Sequence, residues 1–117
     1  MGLTKRQLRK KYKKELKKIT DKIVKGYKPE KIVLFGSLAN GNIRKNSDID
    51  LLIVKDTKEK YWDRVKKVIN KCLDDTWFSV DFFVVTPEEL ERARQENRFF
   101  ITQEVFPKGK VIYETKS

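Results

Sequence analysis

The fold of this 117-residue chain is decided by residues 31–54, which read KIVLFGSLANGNIRKNSDIDLLIV. Two apolar runs stand at the ends of this stretch, KIVLF at residues 31–35 and DIDLLIV at residues 48–54, and both are typical of buried strands. The segment between them is rich in Gly and Asn, which is typical of a loop. Because this loop is too short for the helical crossover that joins parallel strands, the two strands are predicted to pair antiparallel.

The residues that follow add a helix, a third strand and further helical segments. Residues 59–73 have apolar side chains at helical spacing, and residues 77–85, WFSVDFFVV, form a third apolar run. A helix between two strands favours a parallel pair with a right-handed crossover. Residues 86–89, TPEE, are typical of a helix start. A helix or helix pair is predicted from there to about residue 106, and a short strand at residues 111–113. The predicted fold class is therefore α/β (α+β), a small mixed sheet with flanking helices.

The N-terminal segment is predicted to be a strongly basic helix. Thr4 is a candidate N-cap and Gly26 a candidate helix end, so the helix is expected over about residues 4–26. The first 31 residues hold 13 Lys and Arg against 3 Asp and Glu, and so carry nearly all of the net charge of +11. Such a face is either solvated or contacts an acidic partner or RNA, for example the end of a tRNA. Genome composition or a high growth temperature would also explain the many lysines.

The composition excludes several classes of protein. A chain of this length is the usual size of one domain, predicted here to span residues 1–117. It has no His and one cysteine, Cys72, which excludes His-based acid–base chemistry, an internal disulfide and a zinc site built on Cys or His. No apolar run could span a bilayer and no signal peptide is evident, so we expect no membrane contact and a cytoplasmic location. Cys72 is predicted to be core, and Trp62 and Trp77 to be core or partner interface.

Three aspartates stand in or next to apolar strands, where Asp is poorly favoured. Asp48 and Asp50 are two residues apart, so they point to one face of the second strand, and Asp81 lies in the third strand. If these strands are parallel neighbours, the three carboxylates converge, and such a cluster needs a cation to neutralise it. Oxygen ligands without His or Cys suit Mg²⁺ or Mn²⁺. Solvated strand ends are the alternative interpretation.

Gly36 and Ser37 end the first strand, beside the start of the second strand in an antiparallel pair. Glycine lets the backbone approach a ligand closely, and exposed N–H groups together with the Ser37 hydroxyl can hold phosphate oxygens. A phosphate site is therefore predicted to face the metal site, as phosphoryl and nucleotidyl transfer require.

This combination of motifs resembles the minimal nucleotidyltransferases of the DNA polymerase beta-like superfamily. The matching residues are Gly36-Ser37, ten intervening residues, the Asp-x-Asp motif at residues 48–50, and Asp81 on a later strand. The resemblance implies the polymerase beta-like fold and an enzyme that binds Mg²⁺ and a nucleoside triphosphate, ATP above all, and transfers AMP to a hydroxyl of a protein or an RNA. Asp48, Asp50 and Asp81 would be the catalytic and metal-binding residues, and Gly36 and Ser37 would contact the triphosphate.

The resemblance also implies a partner and leaves a second function open. Free-standing chains of this kind are similar to the transferase subunit of HEPN/MNT toxin–antitoxin pairs, which implies a HEPN partner, with a homodimer as an alternative assembly. The family often has a basic residue in the loop after Gly-Ser, whereas Leu38 and Asn40 stand here, so Arg44 or Lys45 would have to supply that charge. The alternative function is therefore a catalytically weak antitoxin of transferase fold that neutralises its partner by contact.

Overall fold

The computed structural model describes residues 4–36, 38–39, 48–72, 80–96 and 108–115. Within these ranges the elements follow in the order α1 (Lys5–Tyr27), β1 (Lys31–Phe35), β2 (Ile49–Val54), α2 (Tyr61–Cys72), β3 (Val80–Val85), α3 (Pro87–Gln95) and β4 (Lys110–Glu114). The strands form one sheet in the order β3-β2-β1-β4. β1 is antiparallel to both β2 and β4, and β2 is parallel to β3, so the predicted mixed sheet is confirmed. None of the described helices is long and apolar enough to cross a membrane.

The sheet has one well-covered face and one partly covered face. The covered face packs against α1 and α2 and holds the main core, which includes the fully buried residues Ile19, Ile23, Ile32, Ile49, Leu51, Ile53, Val68 and Val84. On the opposite face a smaller cluster of Val33, Phe35 and Leu52 is joined by Val85 of β3 and Leu90 of α3. Nearer the beginning of β3, Asp81 and Phe83 of this face are exposed.

Helix α1 begins and ends for identifiable reasons. Thr4 and Gln7 form a capping box, in which the Gln7 backbone N–H donates to Thr4 Oγ1 at 3.1 Å and the Thr4 N–H donates to Gln7 Oε1 at 3.0 Å. The prediction that Gly26 ends the helix is wrong, because the helix continues to Tyr27 and Lys28 adopts the left-handed conformation with φ 53°. Gly26 instead marks a close approach of α1 to α2, since a Cβ there would lie 3.2 Å from Cys72 Sγ.

Helix α2 buries only part of the apolar face that the sequence predicts. Its buried residues are Arg64, Val68 and Cys72, so the prediction that Cys72 is core is confirmed. The core interpretation of Trp62 is wrong: its side chain is 71% exposed, and Ile69, two turns further along the same face of the helix, is 46% exposed. The apolar stripe of α2 is therefore wider than the surface that α1 and the sheet cover. Trp77 lies outside the described residues.

The buried Arg64 joins three elements. Its guanidinium donates to the backbone carbonyl of Glu59 at 2.9 Å, to that of Val84 at 3.2 Å and to the carboxylate of Glu89 at 2.7 Å. Glu89 belongs to the capping box that Thr86 forms at the start of α3, as the TPEE pattern predicts. The hydrogen bonds from Arg64 hold the pKa of Glu89 below its usual range, and they fix α3 against α2 and the end of β3.

Candidate active site

Asp50 and Asp81 lie side by side because of the register of the two parallel strands. Asp50 of β2 is the partner of Asp81 in β3, and on the other side Asp50 faces Phe35 of β1. Register partners on adjacent strands point to the same face of the sheet, which here is the partly covered face. The two carboxylates are therefore neighbours near the beginning of β2 and β3.

The backbone of Gly36 lies directly against the side chain of Asp50. Its backbone has φ +78°, which disfavours residues with a side chain, and a Cβ at this position would overlap Asp50 Oδ2 and stand 3.0 Å from Asp50 Cγ. The turn that leaves β1 therefore passes directly against the Asp50 carboxylate. The glycine is predicted from the sequence to let a ligand approach the backbone, and in the structure the neighbouring Asp50 side chain already requires a glycine here.

The electrostatics of the site converge on Asp50. Burial, followed by the charges of Asp81 and then Asp48, raises the pKa of the Asp50 carboxyl from 3.8 to about 6. Asp48 and Asp81 are exposed, and Asp48 precedes the first residue of β2. The repulsion between the three carboxylates therefore has its largest effect on the pKa of Asp50, the least exposed of the three.

The donor set fits a hard divalent cation, although the carboxylates do not yet enclose one. In the part of the chain that the structure describes, no three His, Cys, Asp or Glu side chains are arranged to hold a metal ion as they stand. However, carboxylate oxygens are the donors that Mg²⁺ prefers, and a cation would neutralise the charge that is unfavourable at Asp50. Asp50 and Asp81 are best placed to hold it, with Asp48 at the margin.

An exposed phenylalanine borders the carboxylates and was not singled out from the sequence. Phe83 follows Asp81 by two residues on the same face of β3, is 42% exposed, and has its ring centroid 6.4 Å from that of Phe35. The available signal was the strand alternation itself, because a residue that shares a face with a functional Asp is expected to border the same site.

The segment after Gly36 is described only in part. Leu38 and Ala39 are buried in the main core, so their side chains pack inside the protein. The candidate phosphate ligand Ser37 lies outside the described residues, as do Asn40, Arg44 and Lys45. Their roles stay predictions.

The chain is similar to known nucleotidyltransferases along almost its whole length. The family profile described as polymerase beta, nucleotidyltransferase matches residues 17–117. A solved protein from Sulfolobus solfataricus that is provisionally named a nucleotidyltransferase has the same fold, with a TM-score of 0.68, 21% identity, and coverage of 97% of this chain and 90% of that chain. A toxin–antitoxin structure with AMP-PNP gives a TM-score of 0.52 and 25% identity, over 86% of this chain and 73% of that chain.

No curated protein matches the sequence. The family assignment therefore depends on the profile match, which covers far more than half of the chain, and the mixed sheet agrees with it. On this basis the chain belongs to the polymerase beta nucleotidyltransferase family.

Proposed function

We propose that this protein is an Mg²⁺-dependent enzyme that transfers AMP from ATP to a hydroxyl group of a partner protein, and that the partner is a toxin of the HEPN type. The observation that supports this best is the close packing of Gly36, Asp50 and Asp81, which gathers carboxylates where β1 turns away from the sheet. The similarity to a toxin–antitoxin structure with AMP-PNP supports an adenine nucleotide and a toxin partner.

Each site residue has a part in this proposal. Asp50 and Asp81, assisted by Asp48, would hold the divalent cation, and Gly36 with Ser37 would bring backbone N–H groups to the triphosphate. When bound, Mg²⁺ supplies a Lewis acid that stabilises the charge on the phosphate oxygens and lowers the pKa of the acceptor hydroxyl. The acceptor oxygen forms a bond to the α-phosphorus, the bond to the pyrophosphate oxygen breaks, and the hydroxyl proton passes to solvent.

The transfer can be tested with ATP labelled on the α- or the γ-phosphate, incubated with Mg²⁺ and a HEPN-type acceptor. Transfer of AMP moves the α-label to the acceptor and leaves the γ-label in pyrophosphate. We expect Asp50→Asn and Asp81→Asn to lower the rate at least about a hundredfold, as removal of a group that stabilises charge in the transition state does. Asp56→Asn, which changes an exposed aspartate after the other end of β2, is the matched control.

Metal binding has a readout that does not depend on activity. Mg²⁺ should raise the thermal stability of the wild-type chain, because a ligand that binds only the folded state stabilises it. The Asp50→Asn and Asp81→Asn variants should show a much smaller effect, and Asp56→Asn the full one. Equal stabilisation of all four proteins would mean that the carboxylates do not hold the ion.

The second candidate function is neutralisation of the toxin by contact, with little turnover. It is favoured by Leu38, which is apolar and buried at a position in the loop after Gly36 where the resembling transferases often have a basic residue. If Asp50→Asn still neutralises the partner as well as wild type does while no α-label is transferred, contact is the function. Loss of both neutralisation and label transfer in that variant would support the enzyme.

A further inference from the structure

A groove runs between α1 and β4 on the well-covered side of the sheet. It has a volume of about 410 Å³, and its apolar lining comes from Leu16 and Val24 of α1 and from Ile112 and Tyr113 of β4. All four side chains are only partly buried, and they pack at the margin of the main core. The chain therefore keeps apolar surface open to water along one edge of the sheet.

The strand that lines this groove ends the sheet. In the order β3-β2-β1-β4, β4 pairs with β1 on one side, and none of the described strands pairs with its other side. Such an edge offers backbone N–H and C=O groups to an additional strand. Strand addition to an exposed edge is a common way to bind an extended peptide, with alternate side chains entering the neighbouring groove.

The dimensions of the groove fit a short strand. The five residues of β4 extend about 16 Å at about 3.3 Å per residue. Along α1, the lining residues run from Lys13 to Val24, which is about 17 Å at about 1.5 Å per residue. The helix and the strand therefore border the groove over the same length, and an added strand of about five residues would fill it.

The charge of the groove selects the occupant. Lys13 and Lys17 stand at its helical border, within an N-terminal segment of 13 basic and 3 acidic residues. A second copy of the chain, with a net charge of +11, would be repelled. RNA matches the lysines but not the apolar lining, and Asp21, which also borders the groove, is unfavourable for any anionic group placed beside it. An extended protein segment that carries acidic and apolar side chains on the same face, at every second residue, matches both the lysines and the apolar lining.

We propose that the groove binds an extended acidic segment of a partner protein, which adds to β4 as a fifth strand. On the groove-facing side of this added strand, apolar side chains would pack on Leu16, Ile112 and Tyr113, and carboxylates two residues away would lie beside Lys13 and Lys17. The groove is on the opposite face of the sheet from Asp50 and at the opposite edge from β3, so this inference does not depend on the proposed transfer reaction.

The binding test uses the full chain and a fluorescein-labelled probe peptide, Glu-Thr-Glu-Thr-Ile-Thr-Val-Thr, measured by fluorescence anisotropy. In an extended strand its two carboxylates and its two large apolar side chains point to the same face. We expect Lys13→Glu/Lys17→Glu to weaken binding about tenfold or more, because attraction becomes repulsion at the groove. The matched control is Lys14→Glu/Lys18→Glu, which makes the same charge change on exposed residues of α1 outside the groove lining, and it should change affinity less than about threefold. Thermal unfolding of both variants verifies that they fold.

Strand addition has its own signature. Amide hydrogen exchange at residues 110–114 should slow when the peptide binds, because β4 gains hydrogen-bond partners. No peptide binding, equal weakening by the two double variants, or unchanged exchange in β4 would overturn the proposal. So would a single-stranded RNA that binds with the same groove dependence as the peptide, or a stable dimer of the chain that excludes the peptide.

Discussion

Replacing Asp50 by Asn should stabilise the metal-free protein while abolishing transfer. The ordinary pKa of the carboxyl, 3.8, is raised to about 6 by burial and by Asp81 and Asp48, so the ionised form is disfavoured in the folded state. A pKa difference of this size corresponds to about 3 kcal/mol. Water reaches part of the Asp50 side chain, so screening reduces the expected gain to about 1–2 kcal/mol. Asn keeps the shape of the side chain and removes the charge.

The effect must depend on pH in one direction. The pKa of the Asp50 carboxyl is 3.8 in the unfolded chain and about 6 in the folded protein, so between these values the folded state binds more protons than the unfolded state. The free energy of unfolding therefore falls as pH rises from about 4 to about 6. Below pH 4 both states are protonated and the wild type should match Asp50→Asn. Above pH 6 the full difference should be present and constant.

The assay is urea unfolding with EDTA present, at several pH values between about 4 and 8, for wild type, Asp50→Asn and the control Asp56→Asn. The control should stay within about 0.5 kcal/mol of wild type at every pH, as exposed substitutions usually do. An Asp50→Asn variant that is no more stable than wild type at pH 7.5, or whose advantage is the same at pH 4 as at pH 7.5, would show that the Asp50 charge does not destabilise the fold.

Three further substitutions test the packing around the site and the core. Gly36→Ala should cost about 1–2 kcal/mol for the left-handed backbone and should lower transfer at least about tenfold by displacing Asp50; unchanged transfer would contradict the contact. Arg64→Met should cost about 2–4 kcal/mol in urea unfolding, because it removes a buried cation from three acceptors, and a cost under about 0.5 kcal/mol would contradict that role. Gly26→Ala should lower the free energy of unfolding by about 1 kcal/mol more in wild type than in a Cys72→Ala background, because the added methyl group meets Cys72 Sγ. Perfect additivity of the two substitutions in this double-mutant cycle would contradict the contact.

The topology of the sheet could be predicted because loop lengths and helix spacing limit the choices. A loop without a helix between the first two strands predicts antiparallel pairing, and a helix before the third strand predicts parallel pairing; both are confirmed. Parallel neighbours were also the basis for expecting Asp50 beside Asp81, and the register makes them partners. These features follow from the order of elements along the chain.

Features that depend on contacts distant in sequence could not be predicted. Arg64 is buried because its partners are the Val84 carbonyl and Glu89, which follow it by 20 and 25 residues. Helical periodicity places Trp62 on the apolar side of α2, but it cannot show how much of that side the neighbouring elements cover. The same limit applies to Gly26, since a glycine near a helix end is compatible with a stop or with a close neighbour, and only the position of Cys72 decides between them.

The two faces of the sheet explain how an unfavourable carboxylate persists in a small protein. The face under α1 and α2 buries most of the apolar residues and supplies most of the stability, so the opposite face can tolerate a charge that is unfavourable by about 1–2 kcal/mol at neutral pH. Both neighbours of Asp50 are fixed by the backbone: Asp81 by strand register and Gly36 by the turn that only glycine fits. The Asp50 side chain therefore cannot move away from these neighbours without distorting the sheet. A bound cation would neutralise its charge with no change in the fold. A site of this kind stabilises the fold only when it is occupied, so the substitution that improves the empty protein is the one that should end its activity.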